Sequence, residues 1–202
     1  MKKPDLLRLA CRSLLAVSCM TALAVPAASA AERVPSADAQ GRNGRCVVVY
    51  FDLGETLVHT DDAGSMRYMP GAAAYLRALR AHHIPVGLIT NVPPSWGHTD
   101  AERAAKLKSE VAKGWKDSRP FAWSDFGDRI FTPRTEAERK PAPALWERAR
   151  KAEGPCRVVY QAETTEEVQV GAAQGFLAYQ IGRAHWPAYL PVPLVEAAAQ
   201  LP

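Results

Sequence analysis

Six consecutive apolar residues, Cys46–Phe51 ("CVVVYF"), constrain this chain more than any other feature. The run is dominated by β-branched and aromatic side chains. It is too uniformly apolar for a strand with one wet face, so it predicts a strand buried on both sides, as in a parallel sheet covered by helices. Similar runs recur at Ile84–Thr90 ("IPVGLIT"), in "RIFTP" at 129–133, at Arg157–Tyr160 and at Phe176–Ile181. Helical patterns separate them. Pro70 stands where a first turn tolerates it, and Ala73, Leu76, Leu79 and Arg80 form a stripe opposite Arg77. Asp100–Trp115 reads as a helix capped by Thr99 or Asp100, Pro141–Lys151 as a helix with apolar Ala144, Leu145 and Ala149, and Glu166–Gln174 as another. Strand and helix in alternation predict an α/β, Rossmann-like three-layer sandwich around a parallel five-stranded sheet. In such sheets ligands bind beyond the carboxyl ends of the strands. Asp52, Thr90 and the acids after "VVYQA" all fall there.

The first 45 residues are of another kind. A basic start (Lys2, Lys3, Arg8, Arg12) precedes the apolar run Ser13–Val25, and Ala28-Ser29-Ala30 fits a small-x-small cleavage site. Residues 1–30 therefore read as a secretory signal peptide removed near Ala30, with no stable membrane span. "AVSC" at 16–19 offers a competing lipoprotein reading through Cys19. Residues 31–45 are small and polar and read as a linker, leaving 46–202 as the folded domain. The leader also accounts for most of the formal charge of +4, since it carries +3. A near-neutral body gives no support to a nucleic-acid partner. Without the leader two cysteines remain, Cys46 and Cys156, and an exported protein with an even pair invites a disulfide.

The end-of-strand residues, in this order, resemble the motifs of the haloacid dehalogenase (HAD) superfamily, most of whose members are phosphatases. The first motif stands as Asp52-Leu53-Gly54-Glu55-Thr56, the second as "VGLITN" with Thr90 and Asn91, and the third as Lys140 in "RKPAPALWERA". The fourth is replaced by "VVYQAETTEEV", which offers Glu163 and Glu167. The resemblance spans about 46–182, and "MPGAAAYLRAL" and "GAAQGFLAYQIG" look like its flanking segments. It implies Asp52 as nucleophile, Thr90 and the backbone of the Gly54–Thr56 loop as hydrogen-bond donors to a phosphoryl group, and Lys140 as the balancing cation. Gly54, Glu55 and Asn91 are the expected substrate-facing residues. Asp52, Glu163 and Glu167 are the expected oxygen ligands of Mg²⁺, with a small phosphorylated substrate or ligand as partner.

One departure matters most. Where the family has a second aspartate that protonates the leaving oxygen and activates water, this chain has Gly54. Such a group is worth typically ~10²–10⁴-fold in rate. Glu55 is adjacent, but neighbouring loop residues point differently. Aryl and acyl phosphates, whose leaving groups need less protonation, are the substrates such a site would still cleave. A non-catalytic binding protein on the same fold is the alternative, and a metal-independent dehalogenase-type displacement by Asp52 is a third.

Structural roles are available for the same residues. Asp52 and Thr90-Asn91 sit where turns begin, Lys140 lies in a charged stretch, and Glu163, Glu166 and Glu167 suit a helix N-terminus. His59, His82, His83, His98 and His185 show no metal-ligand spacing. Trp96, Trp115 and Trp123 either pack the connection between the second and third strands or line a pocket. The intervals between motifs leave room for a flap but not for a full cap domain. In sheets of the resembled family the first and fourth strands are parallel neighbours. Cys46 and Cys156 would then lie together at the end away from the site, and their disulfide would be plausible.

Overall fold

The computed structural model describes residues 46–201; the expected signal peptide, its cleavage site, Cys19 and the linker lie outside them. The predicted sheet is present. Strands β1 (Val47–Phe51), β4 (Val86–Ile89), β5 (Ile130–Phe131), β6 (Arg157–Ala162) and β7 (Leu177–Gln180) pair in parallel in the spatial order β5-β4-β1-β6-β7. β2 (Val58–Thr60) and β3 (Met66–Tyr68) form a separate antiparallel hairpin between β1 and the first helix. This is the short flap for which the sequence left room.

Period-two alternation divides the core. Val47, Val49 and Phe51 of β1 face one layer with Val86, Leu88 and Val159, while Val48 and Tyr50 face the other with Val158, Tyr160 and Ala162. Helices α1 (Ala72–Ala81), α2 (Asp100–Gly114) and α5 (Val192–Ala198) cover the first face. Leu145, Trp146 and Ala149 of α3 (Ala144–Glu153), with Val168 and Val170 of α4 (Thr165–Ala173), pack on the second. Gly87 is required beneath Tyr50, because a Cβ there would stand 2.2 Å from the tyrosine ring.

Helix starts differ from the sequence reading by a few residues, for local reasons. Gly71 has φ +83°, so α1 begins at Ala72 and buries Ala72, Leu76 and Leu79 rather than Ala73. Prolines 141 and 143 delay α3 to Ala144. α2 has a full capping box, in which the Thr99 hydroxyl accepts from Glu102 N and the Glu102 carboxylate accepts from Thr99 N. α5 was not predicted.

The tryptophans pack. Tyr68 of the hairpin meets Trp115 edge-on at 5.0 Å and stacks on Phe121 at 5.3 Å, while Trp123 lies 4.4 Å from Phe121. Lys116 N donates to Met66 O at 2.8 Å, tying the hairpin to the end of α2. Cys46 and Cys156 form a disulfide with Cα atoms 4.7 Å apart, joining the starts of β1 and β6. Among the described residues no helix is long and apolar enough to cross a membrane.

Candidate functional site

Strand order reverses between β1 and β6: β1 leads outward to β4 and β5, and β6 leads outward to β7. The loops after these two strands therefore diverge and leave a crevice at their carboxyl ends, where open α/β sheets bind ligands. β1 delivers Asp52 to one lip and β6 delivers Glu163 to the other. The ladder continues to the edge of the site, with Asp52 N donating to Gln161 O at 3.1 Å.

Lys140 spans the crevice from the loop after β5. Its ammonium donates to Asp52 Oδ1 at 2.5 Å and to Glu167 Oε2 at 2.7 Å, and both its side chain and that of Asp52 are at most a tenth exposed. Tyr160, fully buried on β6, donates its hydroxyl to the same Glu167 oxygen at 2.7 Å. Thr56, also fully buried, donates to Glu163 Oε2 at 2.8 Å. Thr90 directly follows β4, with its backbone N donating to Phe131 O at 3.1 Å. Burial raises the Asp52 carboxyl above its ordinary value; the charge and hydrogen bond of Lys140 oppose that, and the charge of Glu163 adds to it. Burial, with the nearby carboxylates, pushes the Tyr160 hydroxyl far up, so it stays a proton donor to Glu167.

Not every predicted residue takes the role expected of it. Asn91 is not turned to a substrate: its Nδ2 donates to Lys140 O at 3.1 Å and its Oδ1 accepts from Lys140 N at 2.8 Å, so both ends of the amide hold the lysine backbone. Glu55, in the left-handed region at φ 49°, sends its carboxylate away to the hairpin. There it accepts from Thr60 N at 3.1 Å and lies 2.9 Å from His59 Nδ1. Hydrogen bonding to His59 holds Glu55 below the ordinary carboxylate value. Gly54 is exposed, and a Cβ built on it meets no atom within 4 Å. The position is open.

The expected metal set also changes. Among the described residues no group of three or more His, Cys, Asp or Glu side chains is gathered to hold an ion. Glu167 is withdrawn from that set by Lys140 and Tyr160. Asp52 and Glu163 remain, close enough for the charge of one to raise the pKa of the other. Carboxylates are hard oxygen donors, and Mg²⁺ is commonly held by one or two of them completed by water and substrate phosphate. The remaining pair fits that ion.

Tyr160, Gln161 and Tyr189 were not singled out from the sequence. Gln161, fully buried, donates to Tyr75 Oη at 3.0 Å and accepts from Leu190 N at 2.8 Å, and Tyr189 donates to Thr56 O at 2.7 Å. These bonds brace the Asp52 loop from the α1 and α5 side. A glutamine inside "VVYQA" is the one sequence signal for them, since a buried amide must be hydrogen-bonded.

A second polar cluster fixes the segment that carries Lys140. Asp100, at the start of α2, accepts from Arg103 at 2.5 Å, from Arg134 at 2.9 Å and from Arg148 at 2.7 Å. Arg103 is 1% exposed and spends its remaining donors on Thr132 Oγ1 and Gly97 O. Arg148 also donates to Thr132 O, and Glu138 accepts from both Arg148 and Arg134 N. The stretch from 132 to 138 is thus pinned to α2 and α3 just before Lys140.

No protein-family model matches the chain, and no curated protein matches it. Among solved structures, a presumptive HAD-like phosphatase from Mesorhizobium loti is similar over 79% of this chain and 90% of its own, at 16% identity and a TM-score of 0.51. The D,D-heptose 1,7-bisphosphate phosphatase of B. bronchiseptica, solved with magnesium and phosphate, aligns over 65% of this chain and 77% of its own at 19% identity. Its TM-score of 0.44 is too low to support any comparison of sites. What the Mesorhizobium loti structure shares with this chain is the HAD-like fold.

Proposed function

We propose that this chain, built on a HAD-like fold, is a phosphohydrolase working through an aspartyl-phosphate on Asp52, with weakened catalysis of leaving-group departure. The observation that carries the reading is the buried Lys140 ammonium held between Asp52 and Glu167 at the point of strand reversal. A lysine so placed keeps a carboxylate ionised where burial alone would protonate it, and that is what a carboxylate nucleophile needs. Phosphoryl transfer otherwise asks for positioning and charge neutralisation. Thr90 and the backbone N–H groups of the Gly54–Thr56 loop would hold the phosphoryl oxygens. Asp52 and Glu163 would hold Mg²⁺, which supplies neutralisation of phosphate charge when bound. Glu167 and Tyr160 keep Lys140 oriented.

The substrate class is a small phosphorylated compound with an acidic leaving group, an aryl or acyl phosphate. Export is proposed with it: the leader-like first 30 residues and the Cys46–Cys156 disulfide both support an oxidising compartment outside the cytosol. A second reading, a non-catalytic protein that binds a phosphorylated ligand or a protein partner, is favoured by the open Gly54 and by Glu55 facing the hairpin. Hydrolysis of an aryl and an acyl phosphate by the full chain, with and without Mg²⁺ and beside Asp52→Asn, separates the two. Turnover lost in the variant supports the enzyme. Equal rates from both proteins would leave a binding protein.

A further inference from the structure

Displacing an ester oxygen from phosphorus leaves an alkoxide or phenoxide that must be protonated or already stable. Among the described residues, the side-chain donors around the Asp52 loop are already engaged. Lys140 is shared between Asp52 and Glu167, the Thr56 hydroxyl donates to Glu163, and the Tyr160 hydroxyl donates to Glu167. The Glu55 carboxylate is held on the hairpin side by Thr60 N and His59. The Thr90 hydroxyl is too weak an acid to serve. Two residues beyond Asp52 the loop instead presents Gly54, exposed and with no atom within 4 Å of where a side chain would begin. The nucleophile's loop thus combines engaged donors with a position open to solvent.

Resting on the phosphohydrolase reading, we propose that the substrate supplies the missing proton: the site takes phosphate monoesters whose leaving group carries a carboxyl beside the bridging oxygen, and the space at Gly54 receives that carboxyl. The step balances without a further reagent. Asp52 Oδ forms a bond to phosphorus, the bond from phosphorus to the bridging oxygen breaks, and the neighbouring carboxyl passes its proton to that oxygen. The products are the aspartyl-phosphate and a hydroxyl compound whose carboxyl is now a carboxylate. Water then adds to phosphorus, the Asp52 oxygen departs as carboxylate, and the proton released by water goes to the phosphate. The inference narrows the substrate class from acidic leaving groups in general to self-protonating ones.

Two isomeric probes test it with the full chain: 2-carboxyphenyl phosphate, with the carboxyl beside the ester oxygen, and 4-carboxyphenyl phosphate, which has the same charge and composition. Each is assayed at mildly acidic pH with its spontaneous hydrolysis subtracted, beside Asp52→Asn. Unprotonated, the ortho phenoxide is the poorer leaving group, so acidity alone favours the para isomer. The expected result is a kcat/KM for the ortho isomer about 10²-fold or more above the para isomer, the size of a positioned general acid. In Gly54→Asp the para isomer gains about as much and the ratio falls toward one, because the chain then carries its own acid. Equal or para-favouring turnover by the wild type, lost in Asp52→Asn, overturns the inference and leaves the phosphohydrolase standing. Absence of Asp52-dependent turnover with either isomer overturns the inference, and the phosphohydrolase reading falls with it when the acyl phosphate is left intact as well.

Discussion

Removing the Cys46–Cys156 bond separates stability from chemistry. The bond closes a chain separation of 110 residues. In the chain-entropy treatment a loop of that length restricts the unfolded state by about 4.8 kcal/mol at 25 °C. For a domain of this size each kcal/mol moves the melting temperature by roughly 2–4 °C, so Cys46→Ala/Cys156→Ala should melt about 10–20 °C lower. Six residues of extended chain, about 20 Å, separate Cys46 from Asp52, so turnover below the transition should be unchanged. Calorimetry of the wild type, of the double variant and of the wild type in reductant gives the comparison, with aryl phosphate hydrolysis measured on the same samples. A loss under about 1 kcal/mol would refute the entropic account, since strain or residual structure in the unfolded chain would then dominate. A large loss of kcat at low temperature would refute the separation of the bond from the site.

Three further outcomes follow from the polar clusters. Asn91→Ala removes both hydrogen bonds to the Lys140 backbone and should cost about 2–3 kcal/mol in urea unfolding, with kcat falling more than KM rises. Lys140→Met leaves Asp52 and Glu167 facing each other without a cation. It should cost about 3–5 kcal/mol at neutral pH, and less in acid, where Asp52 takes up a proton and the two carboxylates no longer repel. Burial tends to raise Asp100, but hydrogen bonds from Arg134, Arg148 and Arg103 outweigh it and hold the carboxyl at about 2, against an ordinary 3.8. Its contribution is therefore whole above about pH 4 and is lost as pH falls toward 2. After allowance for solvent screening it amounts to about 1 kcal/mol, which Asp100→Asn should remove from the acid-unfolding curve.

The five sheet strands were legible because burial on both faces leaves a signature no side-chain detail can hide, as in Cys46–Phe51, whereas their spatial order was not. The α2 cap was legible as Thr99 or Asp100, and the structure selects Thr99 with Glu102 as its partner. α5 was not, since seven residues beginning at Val192 with a proline carry too little periodicity. At the site, the positions of Asp52 and Thr90 could be read from the strands they follow, and Lys140 from the family resemblance. The role of Asn91 could not, because it depends on a backbone 49 residues away. Tyr160 was hidden for a related reason: within an apolar strand a tyrosine reads as core, and only the fold reveals that its hydroxyl reaches Glu167. Glu167 itself looked like a metal ligand because sequence cannot show which of two neighbours, cation or ion, an acid is turned toward.

The aromatic contacts of the hairpin give the protein a built-in optical readout. Trp115 touches Tyr68 edge-on, and Trp123 packs against Phe121, on which Tyr68 stacks. The strand bearing Tyr68 follows the Asp52 loop by only a few residues. Movement of this flap must change the surroundings of two indole rings while leaving Trp146, sealed between α3 and the sheet, as an internal constant. Emission from the unlabelled chain would therefore time the flap during turnover, without a dye and without altering a single residue.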